Sequence, residues 1–234
     1  NVEVISSLSK PFKSNSGIIV LRGNLASDGA IMKISASSEK LWKHKGKAHV
    51  FDSYDSMMDQ IDRDDLDVDE NTILILRNCG PAAIGMPEWG EIPIPQKMLL
   101  VGVEDMVRIS DARMSGTSYG TVVLHVSPEA ARGGPMAVVT TGDIVEIDVN
   151  KGLLHLHVSE DVIAERLQAW VPLPRYHERG YLRMFSDHVM QAHQGCDLDF
   201  LRPKNKAETL FKPPPVGVIP ASLSPGAIVW MKLV

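Results

Sequence analysis

Ile144-Val-Glu-Ile-Asp-Val149 and Leu153-Leu-His-Leu-His-Val158 are short runs of strand-forming residues parted by Asn150-Lys-Gly152, and they read as two strands. Upstream, Ala137-Val-Val139, Thr121-Val-Val-Leu-His-Val126 and Met106-Val-Arg-Ile109 read the same way. Thr72-Ile-Leu-Ile-Leu76 shows no polar alternation, so it is expected to be covered on both faces. Lys47-Ala-His-Val-Phe51 and the glycine-bounded Gly17-Ile-Ile-Val-Leu-Arg-Gly23 complete the set. Many short strands, few long helices and glycine-rich connections point to a strand-rich α+β chain, a β-barrel or curled sheet with peripheral helices. Regular βαβ alternation is missing, which disfavours a doubly wound fold, and no internal repeat is visible.

Helical signals are local. Tyr54, Met57, Met58 and Ile61 form one apolar stripe with Ser53 placed to cap it. Ser127-Pro-Glu-Ala-Ala-Arg-Gly-Gly134 has a serine cap, an early proline and a glycine stop, the pattern of a one- or two-turn helix. A longer helix is expected after Ser159, with Ile163, Leu167 and Trp170 inward and an end before Pro172. A last one is expected from Tyr181 to Ala192, with Leu182, Phe185 and Val189 on one face. Residues 1–201 are read as one domain and 202–234, with Pro213-Pro-Pro215, Pro220 and Pro225, as an extended tail.

The 234 residues are 44% hydrophobic and 23% charged, which excludes wholesale disorder. A net charge of -5 argues against nucleic acid or an anionic membrane as the main partner. No apolar run approaches the ~20 residues a bilayer span requires, so a soluble intracellular chain is the expectation. The chain opens on Asn1 rather than Met, and part of the working protein is expected upstream. Cys79 and Cys196 are too few for a disulfide framework, or for a cluster without other ligands, and read as buried structural thiols.

Three patterns look chemical and read better as structure. Asp65, Asp67 and Asp69 alternate as in a calcium loop, but the required glycine and terminal glutamate are missing, so a solvated turn is expected. His155 and His157 share a strand face but have no third ligand at readable spacing. Gly116-Thr-Ser-Tyr-Gly120 matches the hydrolase elbow, yet it runs into a β-branched stretch where the elbow requires a helix.

Packing leaves three loops unexplained: Gly23-Asn-Leu-Ala-Ser-Asp-Gly29, the proline- and glycine-stiffened Cys79 to Gly90 segment that aims Glu88, and Ile109-Ser-Asp-Ala-Arg-Met-Ser-Gly-Thr-Ser118. Loops held between core strands are where binding groups are usually placed. Together these pieces resemble the C-terminal part of the dihydroxy-acid/phosphogluconate dehydratase family. The third is similar to its signature T-D-[GA]-R-[apolar]-S-[GA]-x-[ST], with Ser110 where threonine is usual. The resemblance continues in order through Gly85-Met-Pro-Glu-Trp-Gly90, His125-Val-Ser-Pro-Glu-Ala130, Gly142-Asp-Ile-Val-Glu-Ile-Asp148 and Gly195-Cys-Asp-Leu-Asp-Phe200. Trp89 and the Arg179-Gly-Tyr-Leu-Arg-Met184 wording look most like the sugar-acid branch, which acts on aldonates such as arabinonate or xylonate.

That resemblance implies a swivelling β/β/α domain of a hydro-lyase that converts a 2,3-dihydroxy (sugar) acid to a 2-keto-3-deoxy acid. By motif match, Ser115 would be the base that takes the C2 proton and Glu88 a ligand of Mg²⁺, with Thr117, Arg113 and Asn24 as substrate contacts. An iron–sulfur cluster, two-iron or four-iron, would be held by an N-terminal domain not in this chain, leaving the chain inactive alone. Implied partners are a sugar acid or dihydroxy acid, that N-terminal domain and a second copy of the protein, in the cytoplasm or a mitochondrial matrix. A reading of another class is a non-catalytic relic that acts as a binding or scaffolding protein. A third is a serine hydrolase using Ser118.

Overall fold

The structure, a computed structural model, describes residues 3–12, 17–88, 92–113, 115, 119–174 and 177–202. Its strands are β1 (Ile19–Gly23), β2 (Ala26–Met32), β3 (Lys43–Phe51), β4 (Ile73–Leu76), β5 (Arg108–Ser110), β6 (Val122–Ser127), β7 (Ile144–Asp148) and β8 (Leu153–Leu156). They close into a barrel in the order β1-β2-β6-β5-β4-β3-β7-β8. β3, β4, β5 and β6 are parallel neighbours, and β8 is parallel to β1. The pairs β1–β2, β2–β6, β3–β7 and β7–β8 are antiparallel. It follows that β1, β3, β4, β5, β6 and β8 all finish at one rim, while β2 and β7 begin there. The helices are α1 (Tyr54–Gln60), α2 (Pro81–Ile84), α3 (Gln96–Leu100), α4 (Glu160–Ala169) and α5 (Tyr181–His188). None is long and apolar enough to cross a membrane, among the described residues. The fold is therefore strand-rich α+β.

Every strand sends residues into the interior, among them Leu21, Met32, Ala48, Ile75, Ile109, Val123, Ile147 and Leu154. β4 shows why no polar alternation was needed. Ile73 and Ile75 face the interior, while Leu74 and Leu76 meet Phe51, Met57 of α1 and Met98 of α3 in a second cluster outside the sheet. Burying each such side chain stabilises the fold by about 1.5–3 kcal/mol. Ser53 caps α1 by accepting from the Ser56 amide, and Ser159 caps α4 through the Val162 amide. Ile163 of α4 is buried against the barrel, with Leu167 and Trp170 packed beside it. The acidic run serves its turn: Asp65 pairs with Arg63, and Asp69 accepts from the Asn71 amide and the Thr72 hydroxyl.

Four expectations are corrected. Gly23 to Gly29 is not a polar loop: only Asn24 and Leu25 turn, and β2 begins at Ala26. Its small residues Ala26 and Ala30 fill the interior, a signal too weak to read as a strand. Ala137 to Val139 is not a strand but part of a 3-10 turn, Pro135–Val138. Its carbonyls are met by side chains, with Arg77 donating to Ala137 and Val139 and Arg166 to Val138. Ser127 ends β6 rather than capping a helix, and the helix shrinks to one 3-10 turn, Ala130–Arg132, closed by the left-handed Gly133. The last helix stops at His188, because Val189 leaves the helical path and bridges to Leu198. The tail from 203 lies outside the described residues.

The rim where β5 and β6 start is fastened by a buried ion pair. Asp105 accepts from Arg108, from the Thr121 amide and hydroxyl, and from the Ser38 amide. Arg108 also donates to the carbonyls of Ile92 and Tyr119. A Cβ at Gly120, whose φ is +89°, would overlap the Arg108 guanidinium. We expect Asp105→Ala to destabilise the chain by about 3–5 kcal/mol, because it leaves a buried guanidinium without its carboxylate. The urea midpoint, with Asp105→Asn as the milder comparison, measures this.

Candidate functional site

The rim at which the parallel strands finish is where ligands settle in sheets of this kind, since loops diverge there from fixed strand ends. The connection after β4 carries Cys79, α2 and Glu88; the one after β5 carries Asp111, Arg113 and Ser115; the one after β6 carries Glu129. Two carboxylates tie them together. Asp111 is fully buried and accepts from the Cys79 amide at 2.8 Å and from the Ala130 amide at 3.0 Å. Glu129, also fully buried, accepts from the Ala82 and Ala83 amides at the start of α2 and from the Gln191 side chain at 2.6 Å. The fit is close enough that a Cβ at Gly80 would overlap the Glu129 side chain. Burial pushes the Asp111 carboxyl up to about 7; the Cys79 amide opposes the shift and the charge of Glu129 adds to it. Burial likewise raises Glu129, against the pull of the Ala82 amide and Gln191.

On this frame Glu88 and Arg113 come together. The Arg113 amide donates to the Pro87 carbonyl at 3.2 Å, and its guanidinium lies 3.5 Å from the Glu88 carboxylate. Both side chains are about half exposed, at 55% and 51%. Ser115, two residues beyond Arg113, is half-buried. Thr117 and Ser118 lie outside the described residues. Asn24 sits at the same rim, in the turn between β1 and β2, but both ends of its amide bond the Leu156 backbone, donating to O and accepting from N at 2.7 Å each. It stitches β8 to that turn. Sequence reasoning passed over His125. It is half-buried in β6 with φ at +57°, its amide donates to the Ala112 carbonyl, and burial followed by the charge of Arg113 lowers its pKa. A left-handed residue inside a strand leaves no mark in a hydropathy pattern.

The donor chemistry separates the two implied cofactors. The Glu88 carboxylate and Ser115 hydroxyl are hard oxygen donors of the kind Mg²⁺ takes, and Glu88 is accessible. The thiols do not fit a cluster. Cys79 is wholly buried, donates to the Arg77 carbonyl, and is pushed far above the ordinary thiol range by burial, while Cys196 contacts the Met86 thioether. No three His, Cys, Asp or Glu side chains are arranged to hold a metal, among the described residues. His155 and His157 stack edge to face at 4.9 Å, and His157 bonds Glu146 at 2.6 Å. A serine, histidine and aspartate do gather at the rim. Ser127 lies 2.7 Å and Asp28 3.8 Å from the same nitrogen, Nδ1 of His193, so they cannot act from opposite sides of the ring as a relay requires.

Residues 3–196 match the family described as dihydroxy-acid/6-phosphogluconate dehydratase, C-terminal. A 6-deoxy-6-sulfo-D-gluconate dehydratase of Pseudomonas putida is 48% identical over 91% of this chain and 37% of its own length. An L-arabinonate dehydratase of Rhizobium leguminosarum bv. trifolii is 51% identical over 86% and 35%. A dihydroxy-acid dehydratase of Acetivibrio thermocellus is 38% identical over 84% and 35%. The chain thus spans little more than a third of the length of the curated relatives it matches.

The buried carboxyl predicts a pH effect with a definite sign. Asp111 titrates higher folded than its ordinary unfolded value of about 4. Its contribution is therefore fully present below pH ~4 and is lost as pH rises through about 7. We expect the urea midpoint of wild type relative to Asp111→Asn to fall across that window and to flatten above it. A constant difference between the two proteins would show that Asp111 does not titrate there.

Proposed function

Because the chain belongs to the dihydroxy-acid/6-phosphogluconate dehydratase family, as its C-terminal domain, we propose that it supplies the proton-abstracting half of a sugar-acid dehydratase site. The observation that carries this is the bond from the Arg113 amide to the Pro87 carbonyl, which joins the Glu88 and Ser115 loops at one rim. Relatives named for 6-deoxy-6-sulfo-D-gluconate and L-arabinonate, at 48% and 51% identity, favour an aldonate over a branched dihydroxy acid, whose namesake is 38% identical.

In this reading Glu88 is one ligand of a Mg²⁺ ion that, when bound, stabilises negative charge on the substrate and on the base beside it. Ser115 Oγ, as the alkoxide, takes the proton from C2. Hydroxide leaves C3, and the resulting enol becomes the 2-keto-3-deoxy acid. Arg113, once Glu88 has another cation, turns its guanidinium to the substrate's carboxylate end, and Thr117 offers a hydroxyl to the sugar. Asn24 is left out of this assignment, since its amide is committed to Leu156. The iron–sulfur cluster implied by the family would belong to the rest of a longer protein. The half-site is inactive by itself.

Assay of the full-length protein on L-arabinonate and other aldonates tests this. Ser115→Ala is expected to lower kcat by about 10²–10⁴-fold, the range for losing a general base. Glu88→Gln is expected to weaken Mn²⁺ binding, followed by its electron paramagnetic resonance signal. Wild-type turnover in Ser115→Ala would remove the base assignment. A full-length protein with no hydro-lyase activity on any of these acids would favour the binding-protein reading.

A further inference from the structure

Beyond α5 the chain forms a tight loop whose neck is closed by the Val189–Leu198 bridge and by the Met190 amide donating to the Asp197 carbonyl. Inside it the Ala192–Gln194 turn ends on the left-handed Gly195, and the Cys196 amide returns to the Gln191 carbonyl at 3.3 Å. Side chains of this loop reach the open rim. His193 lies 2.7 Å from the Ser127 hydroxyl at the end of β6. The Cys196 thiol meets the Met86 thioether at 3.6 Å, two residues before Glu88. Gln191 makes the closest fit: its amide oxygen accepts from the Glu129 backbone N–H at 2.8 Å, and its amide nitrogen donates to the Glu129 carboxylate at 2.6 Å. That orientation is dictated, since a backbone N–H can only donate and an ionised carboxylate can only accept. The other partners of the carboxylate, among the described residues, are the Ala82 and Ala83 amides. From this first turn of α2 the chain runs directly into the Glu88 loop, the Gly85 and Met86 amides returning to the Pro81 and Gly80 carbonyls. One line of hydrogen bonds thus runs from Gln191 to the root of the loop that carries Glu88.

We infer that Gln191 is a positioning residue for the dehydration proposed above: by completing the hydrogen bonds of Glu129 it holds the first turn of α2, and with it the Glu88 carboxylate, in place for the cation. The inference rests on that reading of the site. An apolar side chain at this position would leave the Glu129 amide and one face of its carboxylate without a partner. An ionised carboxyl there would oppose Glu129, which already shares its surroundings with Asp111 and the Cys196 thiol, Arg132 being the cation whose charge reaches it. A protonated carboxyl reproduces both bonds, its hydroxyl standing where the amide nitrogen stands.

The test uses the full-length enzyme with Gln191→Leu and Gln191→Glu, beside Glu88→Gln and Ser115→Ala. Thermal unfolding shows that each variant is folded. Mn²⁺ binding is followed by electron paramagnetic resonance from about pH 6 to about pH 8, the span in which a carboxyl raised by a like charge titrates, each variant against wild type at the same pH. Gln191→Leu is expected to weaken Mn²⁺ binding about tenfold across the range, the scale of losing a group that orients a metal ligand. Gln191→Glu should show a similar deficit at the alkaline end that shrinks to within about twofold of wild type at the acid end, as the introduced carboxyl gains its proton. On L-arabinonate kcat should follow the same pattern. Wild-type Mn²⁺ binding in Gln191→Leu would overturn the inference, as would a loss confined to thermal stability, or a Gln191→Glu protein whose difference from wild type is the same at both ends. Should Gln191→Leu not fold, the pH dependence of Gln191→Glu decides alone. If Glu88→Gln weakens Mn²⁺ binding while the Gln191 variants do not, only this inference fails. If Glu88→Gln binds Mn²⁺ as wild type does, or Ser115→Ala is fully active, the proposed function fails and this one with it.

Discussion

Asp111 and Glu129 are carboxylates buried at the rim of a barrel, and their hydrogen-bond partners are amides rather than cations. Taking such groups out of water is expensive, and each backbone N–H returns only part of the cost. What the arrangement provides is definition. Three connections that leave adjacent strands are forced to share acceptors, so none can shift without stranding a buried amide. Apolar side chains would have filled the same space with less penalty and tolerated more than one loop geometry. The accessible residues of the rim, Glu88, Arg113 and Ser115, all stand on loops fixed in this way.

The two rims are held by different means. At the one where β5 and β6 begin, Asp105 and Arg108 neutralise each other and bind neighbouring backbone groups, a closed arrangement with little left to offer a ligand. At the other, the buried groups are both acidic, and the guanidinium whose charge reaches Glu129, that of Arg132, belongs to an exposed residue. The barrel thus has an end given to closure and an end left open to chemistry.

What could be read in the residues follows from how local the cause is. β4 was legible because an all-apolar run fits one environment, and α1 and α4 because Ser53 and Ser159 act within a turn of themselves. β2 was hidden because its inward residues Ala26 and Ala30 are small, and their fit depends on what faces them across the barrel. The Ala137 turn was misread because three apolar residues look alike in a strand or a buried turn, and the arginines that meet its carbonyls lie far away in sequence. At the site, motif wording singled out Glu88, Arg113 and Ser115, but not the left-handed backbone of His125 or the burial of Asp111. It also singled out Asn24, because a hydrogen-bonding side chain in a glycine-rich turn looks the same whether it serves a ligand or a strand.

The exposure of the Glu88–Arg113 pair has a consequence for how such a site can be filled. An ion pair open to water on both sides is held by about 1 kcal/mol or less, and physiological salt weakens it further. The backbone beneath it is clamped independently, through Glu129 and Asp111. Glu88 can therefore exchange one positive partner for another by rotating its own side chain, with no loop to reorganise and almost no barrier from the bond it gives up. The guanidinium is thus an occupant that the carboxylate can give up at little cost.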